Sequence, residues 1–129
     1  MADRIAVRVA AGCAWLEETD PGWWRQDAPR RGKGGGPIDL DELRMADPCN
    51  CVLGQRWGDY YYARIALDEA VAMGFDTESG STGTWYGLDA RAVAERSAAM
   101  STEFDELTAE WTRVITERRT TAGAVVSDA

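Results

Sequence analysis

Six residues near the end of the chain limit its folding choices more than any other feature. Phe104, Leu107, Trp111, Val114, Ile115 and Arg118 recur at helical spacing, and apart from the arginine all are apolar. A helix with such a stripe is stable only when the stripe is covered by other elements. Thr102 followed by Asp105 resembles a capping box with Asp in place of the usual Glu or Gln, so a helix is expected to start there. Glu110 and Arg113 support it as an opposite-charge pair at i, i+3, Glu106 and Glu110 oppose it as a like pair, and Arg118-Arg119 complement its C-terminus. Asp89 is suited to cap a separate, shorter helix running toward Ala99. Residues 121–129 are expected to fray.

The covering surface is sought upstream. Residues 2–18 place Ile5, Val9, Cys13 and Leu16 on one stripe with Ala6 and Ala10 beside it, which predicts a first helix despite Gly12. Thr19-Asp20-Pro21-Gly22 stops it, because Pro cannot continue a helix and Gly permits the turn. Trp23 and Trp24 follow. Two adjacent residues cannot both face inward on one regular element, so at least one is expected at a groove or interface. Leu67 to Met73 reads as a short helix closed by Gly74, with Phe75 making the hydrophobic contact that follows a glycine cap. Residues 77–84 read as a loop, after which Trp85 and Tyr86 return to the core or its edge. Fold class is therefore mainly α, a single small helical domain of four to five helices over residues 1–120.

Between Pro48 and Tyr62 lie two of the three cysteines and three of the four tyrosines. As one helix starting near Cys49 or Asn50, this stretch would align Leu53, Trp57, Tyr60 and Tyr61 on an apolar face. Gly54 and Gly58 would then cost about 1 kcal/mol each relative to Ala, offset by close approach of another backbone or a second copy of the chain. The alternative is a break with a turn at Gly58-Asp59. Upstream, residues 25–37 combine Arg25, Arg30, Arg31 and Lys33 against Asp27, for a local charge of +3, with four glycines. This is expected to be a flexible basic loop lacking the phosphate-loop pattern. Ile38, Leu40 and Leu43 are expected to pin the following segment to the core.

Chemistry is constrained mainly by what is missing from the composition. The sequence contains no histidine, which removes the commonest general base and the Ser-His and Cys-His pairs. The carboxylates Asp39, Asp41 and Glu42 are neighbours in sequence with no sign of convergence, so no catalytic residue is assigned and no enzyme is expected. Cys49-Asn50-Cys51, with Cys13 as the remaining thiol, is a weak metal pattern because structural zinc favours C-x2-4-C pairs. The plainer expectation is one buried cysteine and one at a helix N-terminus with a lowered pKa, with no cofactor. The net charge of −8 argues against nucleic acid as the main partner; solubility alone accounts for most acidic surfaces, and the functional alternative is a basic or nucleic-acid-associated protein. No apolar run approaches the ~20 residues of a membrane span, so a cytoplasmic setting is expected.

Three pieces together carry a resemblance. They are Trp15-Leu16 through Pro21-Gly22-Trp23-Trp24; Ile38-Asp39-Leu40 through Cys51-Val52-Leu53-Gly54-Gln55 and Gly58-Asp59-Tyr60; and Leu107-Thr108-Ala109-Glu110-Trp111 to Arg118. In these the chain resembles small accessory proteins encoded by actinobacteriophages and actinobacterial prophages. Members often space the two cysteines more widely and run more directly from Pro-Gly-Trp into Ile-Asp-Leu. The resemblance implies a setting, a phage accessory gene in a GC-rich host, and transfers no activity. With it, the residues point to a protein that binds and modulates a host protein, with Trp23, Trp24, Arg56, Trp57, Asp59 and Tyr62 at the contact surface. Two alternatives remain: a cysteine-ligated metal or thiol-redox protein using Cys13, Cys49 and Cys51, and nucleic-acid binding through the basic loop.

Overall fold

The computed structural model describes residues 3–31, 34–81 and 85–127. Among them are five α-helices, one 3₁₀ helix and no strand. Helix α1 (Arg4–Thr19) begins at Asp3, whose carboxylate accepts from the Ile5 N–H at 2.9 Å, the usual remedy for orphan amides at a helix start. It buries Ile5, Val9, Cys13 and Leu16 as the stripe requires. It ends at Asp20, whose N–H donates back to the Leu16 carbonyl.

The C-terminal stripe lies on a helix much longer than expected. Helix α5 runs from Ala90 to Ser127 without interruption, 38 residues. The break before Thr102 does not occur, and Thr102 sits in the helix interior. Serine and threonine favour caps but are tolerated inside a helix, and no Pro interrupts α5. Most of the tail expected to fray is part of this helix, and residues 128 and 129 lie outside the described chain. Leu107, Trp111 and Ile115 are fully buried against α1 and the central segments.

Between α1 and α5 the chain forms short pieces. Helix α2 (Val52–Trp57) is capped by Cys51, not by the residues before it, and the Cys51 Sγ accepts from the Gly54 N–H at 3.2 Å. It ends at Gly58, which is left-handed at φ 95°, a conformation that favours glycine. Thus the break at Gly58 is realised and the single helix through the tyrosines is not. Gly54 does mark a close approach, but to the chain itself: a Cβ there would stand 2.2 Å from the Pro48 carbonyl oxygen. Gly54 is buried, so no Gly54/Gly58 face is open to a second copy.

After the break, Tyr60–Ala63 forms the 3₁₀ helix. Helix α3 (Leu67–Ala72) follows and closes as expected, with Gly74 at φ 75° and the Phe75 N–H donating to the Ala70 carbonyl. Part of the region read as a loop is the short helix α4 (Glu78–Ser81), while residues 82–84 lie outside the described chain. Glu103 on α5 holds α4: its carboxylate accepts from the backbone N–H groups of Glu78 and Ser79 and from the Ser79 hydroxyl.

Candidate interaction surface

The six residues expected at a contact surface separate into core and surface. Trp23 and Arg56 are both fully buried at 0% exposure, which removes them from any interface. For Trp23 the reason is packing. Its ring meets Trp111 edge-on at 5.7 Å, and Arg118 lies over it at 5.6 Å. Its neighbour Trp24 is the half-buried member of the pair, with Arg25 near its ring and its carbonyl accepting from Arg119.

Arg56 is buried because it is the central tie of the molecule. Its guanidinium donates to both carboxylate oxygens of Asp20, at 2.6 and 2.9 Å, and to the carbonyls of Pro29 and Gly36. Four donor contacts and a paired carboxylate compensate the burial of a charge. The same contacts reach into residues 25–37, the stretch expected to be a flexible basic loop. Arg31 pairs with Asp20 at 3.3 Å and lies 4.2 Å over the Trp57 ring, the Gly36 N–H donates to Gln55, and Ala28 is buried. Gly32 and Lys33 fall outside the described residues. Spacing did hold a signal for Arg56, because it follows Val52 by four residues and Leu53 by three, which puts it on their buried face.

Trp57 is half-buried between Arg31 on one side and Trp15, stacked at 5.6 Å, on the other. From Trp15 the aromatic contacts continue inward through Phe75 to Trp111 and Trp23. Asp59 is a cap: its carboxylate accepts from the Tyr61 N–H at 2.9 Å and starts the 3₁₀ helix. Tyr62 is 64% exposed, and Tyr61, expected on the inward face, is 70% exposed. The turn at Gly58 reorients the chain, so the helical register that would have buried Tyr61 ends before it. Tyr60 stays half-buried. Its N–H donates to the Pro48 carbonyl at 2.7 Å and its phenol to Asp76 at 2.8 Å. Burial, and then the Asp76 carboxylate, push its pKa well above the ordinary tyrosine value, so the phenol remains a donor.

The cysteines do not assemble. All three are free, Cys13 and Cys51 buried and Cys49 exposed. The thiol at a helix N-terminus is Cys51, and its pKa is pushed up to about 11 rather than down, because burial outweighs the amides directed at it. Burial raises Cys13 as well. Among the described residues no three His, Cys, Asp or Glu side chains come together to hold a metal ion. Likewise, no described helix is long and apolar enough to cross a membrane.

Fold and surface define a small all-helical protein whose exposed aromatic side chains include an adjacent tyrosine pair held on a capped turn. No protein family, curated protein or solved structure matches the chain.

Proposed function

We propose that this is a phage-encoded accessory protein that binds and modulates a host protein in the cytoplasm of an actinobacterial host and performs no catalysis itself. The single observation that carries this reading is the exposed Tyr61-Tyr62 pair, held in place by the Asp59 cap and the bonds of Tyr60. Exposed aromatic side chains are frequent energetic centres of interfaces, and a backbone already fixed by these bonds has less entropy to lose on binding. The net charge of −8 favours a basic partner and a salt-sensitive encounter. The phage setting rests on the sequence resemblance.

The test is a tagged capture from an actinobacterial lysate at low and moderate salt, run in parallel with a Tyr61→Ala/Tyr62→Ala variant. One abundant host protein, weakened by salt and lost with the variant, is the expected result. Equal capture by both proteins, or capture by neither, refutes the reading.

A further inference from the structure

Beside the tyrosine pair is a cavity of about 140 Å³ where four separate segments converge. Its floor is Phe75 and Cys51, both about 1% exposed. Its walls are Tyr60, Phe104 from α5 and the Asp76 residue, and Tyr61 stands at its rim. The Tyr60 and Tyr61 rings are perpendicular, 84° apart with centroids at 5.1 Å, so they offer a face and an edge to anything that enters.

The lining mixes polar and apolar surface, and the Asp76 carboxylate gives the space its chemistry. One oxygen accepts from the Thr77 N–H and the other from the Tyr60 phenol, each at 2.8 Å. An ionised carboxylate has about four acceptor sites, so one remains on each oxygen. Among the described residues no arginine or lysine pairs with it, and the nearby Arg8 reaches only the Asp76 backbone carbonyl. A half-buried carboxylate with two free acceptor sites beside aromatic faces is suited to a cation. A planar guanidinium fits best, because its fork matches two carboxylate oxygens and its face stacks on aromatic rings. The volume admits the end of one long side chain and excludes a peptide segment or a nucleotide.

We propose that the cavity bounded by Tyr60, Tyr61, Phe104 and Asp76 receives an arginine side chain of the basic partner protein. This rests on the binding role proposed above and places its anchor: the exposed tyrosines cover the partner's surface while the guanidinium enters beside them.

The test is an NMR titration of the full chain with N-acetyl-arginine methylamide, followed at the Met45 methyl, which lines the cavity, and at the Tyr60, Tyr61 and Phe104 rings. Saturable shifts at these groups are expected, with none from the uncharged citrulline derivative. Asp76→Asn keeps an acceptor for Tyr60 and removes the charge, and it should weaken binding by about ten-fold or more. Should that variant lose its shift dispersion, Tyr61→Ala at the exposed rim decides, and unchanged affinity there overturns the proposal. Equal binding of the citrulline derivative, or no saturable shift with the arginine derivative, also overturns it. Tyrosine-dependent host capture without arginine binding rejects the pocket alone. Arginine binding without host capture rejects the host-partner reading and leaves the pocket standing as a guanidinium site.

Discussion

Replacing Arg56 with Met tests the tie between α2, the turn after α1 and the segment that follows it. The substitution preserves volume and apolar packing but removes every donor. Asp20, only 4% exposed, would then keep a single cation, Arg31, whose side chain is 31% exposed. The carbonyls of Pro29 and Gly36 would lose their donor, but Pro29 is exposed and Gly36 partly so, so most of the cost is the buried carboxylate. Breaking a buried pair from one side costs about 3–5 kcal/mol, a large share of the stability of a domain this size. At an unfolding entropy of roughly 2 cal/mol/K per residue, the midpoint should fall by about 15 °C. Urea melts followed by circular dichroism and tryptophan fluorescence read the loss. Limited trypsin digestion should show earlier cleavage after Arg25, Arg30 or Arg31 in the variant. Asp20→Asn combined with Arg56→Met should be much less costly than the sum of the two single changes, because the second removes the charge that the first left stranded. A loss below about 1 kcal/mol, or strict additivity in the double variant, would refute the assignment of Arg56 as the central tie.

Three further outcomes follow from the geometry. Gly54→Ala sets a Cβ 2.2 Å from a backbone oxygen and should destabilise by about 3 kcal/mol, whereas Gly123→Ala, whose Cβ meets nothing within 4 Å, should stabilise α5 by about 0.5 kcal/mol; paired melts compare them, and equal effects would contradict the packing at Gly54. A thiol reagent at pH 7.5 should modify Cys49 rapidly and reach Cys13 and Cys51 only on unfolding, so two fast thiols in the native protein would count against the burial of Cys51. Burial of Glu103 opposes its ionisation but is outweighed by hydrogen bonds from Ser79, Glu78 and Arg8, which hold the carboxyl below its usual 4.5; its contribution is therefore complete above that value and is lost as pH falls through the lower folded value, so Glu103→Gln should flatten the acid limb of stability against pH.

The sequence carried the parts of this fold that depend on local repetition. The stripes of α1 and of Leu107 to Ile115 are periodic, and Gly74 followed by Phe75 is a local stop, so each is visible within a few residues. The continuity of α5 was hidden because Asp89 and Thr102 are both competent caps, and only packing decides whether a cap is used. Trp23 and Trp24 are equivalent in sequence, and the choice between them is made by Trp111, far along the chain. The burial of Arg56 required Asp20, 36 positions earlier. The cavity beside Tyr61 was less legible still, since Cys51, Tyr60, Asp76 and Phe104 share no spacing and meet only through tertiary contact.

The uninterrupted α5 helix also sets how this molecule moves through solution. At 1.5 Å per residue its 38 residues extend about 57 Å, while a compact chain of 129 residues has a radius of gyration near 14 Å, a sphere roughly 36 Å across. The rod is longer than the ball that could contain the chain. Sedimentation should therefore show greater friction than mass alone predicts, and small-angle scattering should give a skewed distance distribution with a long tail.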